Sequence, residues 1–127
     1  MARTDESKAE VVRLTVRPQF LFVRGGLSER RKGLVIQARL RGDDRLHIGE
    51  GFTATKKTGN AVKRNRARRR LKAAARELLP RLGVPGADYV FIARMDTAGI
   101  DWQRLLDDME SALISLAASL RQGSGTA

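Results

Sequence analysis

The sequence contains no cysteine and a single histidine, His47. Without cysteine the chain cannot form disulfides, thiol nucleophiles or cysteine-based zinc sites, and this composition is typical of a reducing cytoplasm. One histidine on a predicted strand is more often a surface or half-buried residue than a general base. No paired carboxylates, nucleophile–base pair or metal cluster emerges from the sequence. We therefore predict no catalytic residue and no metal ligand within the chain.

Long apolar runs are also missing, because no run approaches the ~18 residues of a membrane span. The N-terminus, "MARTDESKAE", lacks the apolar core of a signal peptide. We expect a cytoplasmic protein with no membrane partner. The 127 residues, 42% of them hydrophobic, are enough for one domain with a buried core. We predict a flexible N-terminus over residues 1–12, a single α+β domain over 13–121 and a disordered tail over 122–127.

Acidic residues are absent from residues 56–72, "KKTGNAVKRNRARRRLK". This stretch holds nine Lys and Arg, whereas the net charge of the whole protein is +11. Most of the excess positive charge therefore lies in one segment. Together with a pI near 11.3, this indicates an anionic partner, either nucleic acid or an acidic membrane surface.

The first half of the chain predicts one helix and two strands. Pro18 suits the start of a short helix that extends to Arg24, because two glycines follow it. Alternation of apolar and polar residues predicts strands over Gly33–Arg41 and over residues 45–57. A turn separates the two strands, so we expect an antiparallel hairpin. Glu50 falls on the apolar side of the second strand between two glycines, which suggests a bulge.

The second half predicts helix, strand and helix. Asn60 is a good N-cap for a helix with an apolar stripe at helical spacing. Asp88–Arg94 reads as a buried strand, and Asp101 caps a last amphipathic helix. The order helix, strand, strand, helix, strand, helix predicts an α+β sandwich, with helices packed on one small sheet.

The basic stretch lies on the second helix. An apolar face containing Ala67 and Leu71 packs on the sheet, and Asn65, Arg69 and Lys72 lie opposite. Like charges recur three and four residues apart, which costs stability unless an external polyanion neutralises them. Arginine predominates, and its planar fork matches phosphate oxygens and stacks on bases. The Asn65 amide suits either an RNA contact or the orientation of neighbouring arginines.

Residues Phe52–Ala74, "FTATKKTGNAVKRNRARRRLKAA", resemble the signature of the bacterial ribonuclease P protein subunit, K-K-x-G-N-A-V-x-R-N-R-x-[KR]-R-x-x-[KR]. Every fixed position of that pattern is filled. Weaker similarity covers Arg13, Leu14, Phe20 and the strand Asp88–Arg94. The resemblance implies an αβββαβα sandwich like the second domain of ribosomal protein S5. In that fold a small mixed sheet carries packed helices and a left-handed βαβ crossover.

The resemblance also implies a function. Such a protein assists a catalytic RNA that removes the 5′ leader of precursor tRNA with Mg²⁺, and the protein alone is inactive. Its partners are the ribonuclease P RNA and precursor tRNA, not DNA. Phe20 would stack on the leader in a cleft between the sheet and the first helix, unless it is a core residue. Gln37, where the family often has Tyr, and Glu50, at a usually apolar position, depart from the pattern. The implied RNA contacts are Lys56, Lys57, Asn60, Lys63, Arg64, Asn65, Arg66, Arg68, Arg69 and Lys72.

Three other classes are open on sequence grounds. A ribosomal or assembly RNA-binding protein with no part in cleavage would share the basic helix. A helix-turn-helix DNA-binding protein would need a second helix three or four residues away, and strands flank the basic helix instead. A helix lying on a membrane surface would need bulky apolar anchors opposite the charge.

Overall fold

A single five-stranded sheet organises residues 9–126, the part of the chain that the computed structural model describes. Among these residues, those from 123 onward are described by their backbone only. The strands are β1 (Val11–Arg13), β2 (Leu27–Arg30), β3 (Leu34–Leu40), β4 (Ile48–Thr53) and β5 (Ala87–Ala93). The helices are α1 (Arg17–Arg24), α2 (Ala61–Leu82) and α3 (Trp102–Thr126), with a 3₁₀ turn at Lys56–Thr58.

The strand order in the sheet is β1-β4-β5-β3-β2. Strand β5 lies in the centre and pairs in parallel with β4 and antiparallel with β3. The predicted hairpin of β3 with β4 is therefore wrong, because β5 separates these strands. The reason is burial: six of the seven β5 residues are buried, and a strand that is buried on both faces belongs in the interior of a sheet. The predicted α+β class is confirmed.

Helix α2 connects β4 to its parallel neighbour β5, and it covers one face of the sheet together with α3. Leu34 and Ile36 of β3 and Phe91 of β5 are fully buried on this face. The apolar stripe predicted for α2 is also buried, with Ala67 and Leu71 at 0% exposure. Asn60 caps α2 by accepting a hydrogen bond from the Lys63 amide at 2.9 Å. Asp101 likewise accepts from the Arg104 amide at the start of α3.

The opposite face of the sheet is covered at one end by α1. Leu14, Val23 and Val90 form a small second core there, with Phe20 packed against it. Gly51 of β4 lies under this helix, and a Cβ at Gly51 would sit 2.5 Å from the Phe20 ring. The glycine permits this close approach.

Glu50 does not lie in a bulge, which corrects the sequence interpretation. The register of β4 with β5 runs without interruption from Gly49 to Thr53. Glu50 lies on the face covered by α2, and a Cβ at Gly49 or Gly51 would meet Leu14 on the opposite face. Gly51 also admits the Phe20 ring of α1, whereas Gly49 admits the Asp88 side chain. The small size of the two glycines therefore serves packing and not a break in the strand.

Both chain ends differ from the predicted boundaries. Residues 1–8 of the predicted flexible N-terminus lie outside the described residues, but Val11 and Val12 belong to β1, which pairs in parallel with β4. At the other end, α3 continues to Thr126, so residues 122–126 of the predicted tail are helical. Each residue added to a helix gains a backbone hydrogen bond, which lets a helix run past its last apolar contact. Strand β2 was missed because its sequence, "LSER", shows only a short alternation.

None of the helices formed by residues 9–126 combines the length and the apolar character that a bilayer span needs.

The contact between Gly51 and Phe20 predicts a specific sensitivity to added volume. Gly51→Ala would push a methyl group into the Phe20 ring, and overpacking of this kind typically costs about 1–3 kcal/mol. Urea denaturation would measure this loss in the free energy of unfolding. Gly99→Ala is the matched control, because a Cβ at Gly99 meets nothing within 4 Å. An equal loss in a Phe20→Ala background would contradict the contact.

Candidate nucleic-acid interface

The entry to helix α2 is shaped by a turn and a cap. Thr55 accepts a hydrogen bond from the Lys57 amide at 3.3 Å and opens the 3₁₀ turn. Gly59 follows at φ +138°, a conformation that favours glycine. Lys56 and Lys57 are exposed on this turn, immediately before the capping residue Asn60. The predicted site residues before the helix are thereby brought next to its first turn.

The basic residues of α2 lie outside its buried apolar face and differ in exposure. Asn65, Arg66 and Arg69 are exposed, whereas Lys63, Arg64, Arg68 and Lys72 are half-buried. We call the cationic members of the predicted set the basic surface. Among residues 9–126, none of the ion pairs includes a member of it. Its charge is therefore available to an external polyanion. The members of the basic surface are Lys56, Lys57, Lys63, Arg64, Arg66, Arg68, Arg69 and Lys72.

Asn65 orients a neighbour. Its side-chain oxygen accepts a hydrogen bond from the Arg68 guanidinium at 2.9 Å. Arg64 reaches back to the Gly59 carbonyl at 3.4 Å. These contacts hold two guanidinium groups near the start of the helix, which reduces the side-chain entropy that binding would otherwise cost.

Arg70 belongs to the same run of cations on α2, but its side chain makes contacts within the protein. Its guanidinium donates to the Thr97 carbonyl at 2.7 Å and lies 5.7 Å from the centre of the Trp102 ring. Burial lowers the pKa of Arg70, the charge of Arg66 adds to this effect, and Asp101 opposes it. Arg70 therefore ties α2 to the start of α3, and it was not among the predicted RNA contacts.

The second candidate region is the sheet face that α1 only partly covers. Beyond α1, Val35 and Gln37 of β3 and Ile92 of β5 are half-buried and lie in adjacent rows. Phe20 is half-buried at the edge of this open face, where its ring packs over Gly51. A platform for a leader base and a place in the small second core are both compatible with this position.

Sequence reasoning missed a pocket between β1, β4 and α2. Its volume is about 130 Å³, and Glu50 lies in it with only 19% of its side chain exposed. The nearest cationic atom is Arg13 Nε, 4.0 Å from the carboxylate. Burial raises the pKa of Glu50, and the charges of Arg13, Arg76 and Lys72 oppose that shift. The register between Arg13 and Glu50 creates this site, and a three-residue strand gives little periodicity to predict it from.

The described residues contain no group of three or more His, Cys, Asp or Glu side chains that could hold a metal ion. Mg²⁺ is usually held by one or two carboxylates together with phosphate oxygens and water, and the described residues form no all-protein magnesium cage.

An α+β sandwich carrying a helix of cations without ion-pair partners among residues 9–126 is typical of nucleic-acid-binding proteins. The family model described as Ribonuclease P matches residues 9–117. The ribonuclease P protein component of Caulobacter vibrioides is 53% identical over 111 residues, covering 87% of this chain and 74% of its own length. That of Brucella suis is 36% identical, with coverages of 93% and 88%. The chain belongs to the ribonuclease P protein family, and its predicted role as a subunit of ribonuclease P is confirmed.

Solved structures show the same fold. An RNase P protein mutant from Staphylococcus aureus has a TM-score of 0.69 at 19% identity, covering 92% of this chain and 93% of its own. The RNase P protein from Thermotoga maritima has a TM-score of 0.67 at 24% identity, with coverages of 82% and 96%. At such identities the similarity concerns the fold, so the roles of individual residues rest on this chain's own geometry.

Neighbouring arginines of α2 should respond differently to truncation. Arg70→Ala removes a charged hydrogen bond and a contact with Trp102, so we expect a loss of about 1–3 kcal/mol in the free energy of unfolding. Arg69→Ala removes an exposed side chain and should change stability by less than about 0.5 kcal/mol. Urea denaturation of both variants checks this, and equal losses would refute the anchoring role of Arg70.

The raised pKa of Glu50 predicts a pH-dependent effect on stability. The folded protein holds the Glu50 proton at a higher pH than the unfolded chain does, so ionisation opposes folding at neutral pH. Glu50→Gln should therefore raise the free energy of unfolding at pH 7. The gain should shrink as the pH falls through the raised pKa and vanish below the ordinary value of 4.5.

Urea denaturation between pH 4 and 7 measures this difference. Glu77→Gln on the exposed side of α2 is the control, because it removes the same charge without touching the pocket. A loss of stability for Glu50→Gln at pH 7 would mean that the attraction of Arg13 outweighs the burial of the carboxylate.

Proposed function

We propose that this ribonuclease P protein subunit binds the catalytic RNA through the basic surface and supports removal of the 5′ leader from precursor tRNA. The observation that carries the proposal is the basic surface itself, a dense array of cations of which none forms an ion pair among residues 9–126. Its arginine forks suit phosphate oxygens, and the N-cap and the hydrogen bond from Arg68 to Asn65 preorganise the first turns of α2.

In this proposal the chemistry belongs to the RNA subunit, with Mg²⁺ held by that RNA. The protein's residues bind and orient. The RNA backbone contacts Lys56, Lys57 and Asn60 just before the first turn of α2. The arginines of α2 neutralise the phosphates of that backbone. The protein alone is inactive, because its described side chains include no arrangement suited to activating water. The proposed location is the cytoplasm, where precursor tRNA is made in a bacterium.

The open sheet face is the proposed site of the leader. Phe20 offers a partly exposed ring at its edge, and aromatic rings bind unpaired bases by stacking with little sequence preference. Gln37 and Ile92 extend the surface away from α1. With Gln37 in place of a second aromatic, Phe20 is the main stacking group of this face.

Reconstitution tests the proposed function. The protein should stimulate cleavage of precursor tRNA by a bacterial ribonuclease P RNA at low Mg²⁺, and it should cleave nothing without that RNA. Its affinity for the RNA should fall by ~0.7–0.9 log units per log unit of salt for each phosphate neutralised. Arg69→Ala should reduce that slope by about one contact.

Two results would contradict the proposal. Absence of stimulation would favour a ribosomal or assembly RNA-binding protein. Robust Mg²⁺-dependent cleavage by nuclease-free protein alone would show that the protein, and not the RNA subunit, performs the chemistry. An unchanged salt slope in Arg69→Ala would remove that residue from the interface, and Gly99→Ala serves as the variant that should leave the slope unchanged.

Phe20→Leu tests the leader site. The change keeps most of the apolar volume over Gly51 but removes the ring face, and loss of a stacked base costs about 1–3 kcal/mol. Holoenzyme affinity for precursor tRNA should fall by that amount, while affinity for mature tRNA stays the same because mature tRNA has no leader. If both affinities are unchanged, or if the variant unfolds, Phe20 is a core residue.

A further inference from the structure

The pocket around Glu50 lies directly beside the row of cations on α2. Half-buried Lys72 follows exposed Arg69 by three residues along α2, and exposed Arg76 lies one turn further. Lys72 and Arg76 line the pocket from the helix, whereas Arg13 lines it from β1. The parallel register places Arg13 next to Glu50 in the sheet. An RNA strand bound along α2 would therefore pass the mouth of the pocket.

The chemistry of the pocket differs from that of the basic surface. Its walls carry cations, but Glu50 contributes an acceptor-only group. Within the part of the chain that the structure describes, no donor reaches this carboxylate at hydrogen-bond distance, and Arg13 approaches only to 4.0 Å. The group is mostly buried, with 19% of its side chain exposed. A half-buried carboxylate that accepts no hydrogen bond from the described residues is free to accept from a ligand that supplies donors.

We propose that this pocket binds an unpaired guanine of an RNA strand. The N1–H and N2–H groups of guanine would donate to the two oxygens of Glu50, and Lys72 and Arg76 would hold the adjacent phosphate. The proposal rests on the proposed RNA-binding function and adds base selectivity to it. Unpaired bases are commonly recognised at their Watson–Crick edge.

The donor pattern selects guanine among the four bases. Guanine alone has two adjacent donors on its Watson–Crick edge. Adenine and cytosine each place an acceptor beside their single amino group, and the N3–H of uracil lies between two carbonyls. An acceptor that faces a carboxylate is repelled, so the same group that attracts guanine disfavours the other bases.

Fluorescence anisotropy with the full chain tests the proposal. The probes are fluorescein-labelled single-stranded RNA octamers of uridine with one central G, inosine or A. The octamer with G should bind about 5- to 150-fold more tightly than the octamer with A, the range expected for a bidentate pair. Inosine keeps N1–H but lacks the N2 amino group, so it should bind with intermediate affinity.

Variants separate base recognition from charge and folding. Glu50→Gln should abolish the preference for G, although loss of a negative charge can raise its affinity for all octamers together. Glu77→Gln on α2, outside the pocket, should show that general rise and keep the preference. Glu50→Asp retains the charge but shortens the side chain, so it should lose most of the preference. Circular dichroism confirms the fold of each variant.

Three outcomes are decisive. Equal binding of the octamers with G and A by the wild-type chain overturns the proposal, and so does a preference for G that survives in Glu50→Gln. A chain that binds every octamer equally still supports the proposed RNA-binding function, so the two ideas fail separately. No binding to any octamer or to the ribonuclease P RNA would overturn both.

Discussion

The pairing of β5 with strands on both sides is the constraint on which the rest of the structure depends. Because β4 and β5 are parallel neighbours, the chain between them must cross from one end of the sheet to the other, and α2 makes that crossing. A crossover helix has to bury one face on the sheet it spans. The signature segment is therefore fixed on a rigid element, and its charged residues face outward.

That arrangement separates two tasks within a single helix. Ala67 and Leu71 contribute to the core, whereas Arg66 and Arg69 contribute charge to the exposed side. Arg70 falls between these sides and serves the structure through Thr97 and Trp102. Like charges three and four residues apart would destabilise an isolated helix. Here the packing of α2 on the sheet holds them together, so their repulsion lowers the stability of the fold and is already present before binding.

Local signals were the ones that sequence reasoning captured. Caps such as Asn60 and Asp101 and the apolar stripe of α2 depend on neighbours a few residues away, and they were predicted correctly. Strand order depends on contacts between distant residues, so β3 and β4 were paired with each other when both pair with β5. Local alternation cannot distinguish these alternatives, because it marks which face of a strand is buried but not its neighbour.

The candidate site was predictable to a similar degree. The run of cations on α2 needed only helical spacing and the family signature, whereas the structural role of Arg70 depends on a carbonyl 27 residues away. The position of Glu50 on the apolar side of its strand was recognised as unusual. The residue that explains it is Arg13 of β1, which pairs with Glu50 and was not predicted to lie in a strand. Three residues of β1 do not show a period, and their pairing becomes visible only once β4 is in place.

Strand β1 has a consequence for communication across the sheet. Arg13 borders the Glu50 pocket on the helix side, and the next residue, Leu14, joins the small core under α1 on the other side. The Leu14 amide also donates to the Glu50 carbonyl at 2.8 Å. One short edge strand thus touches both candidate RNA sites. If a ligand bound on one side of the sheet orders β1, reciprocity requires that binding on the other side be favoured by the same factor.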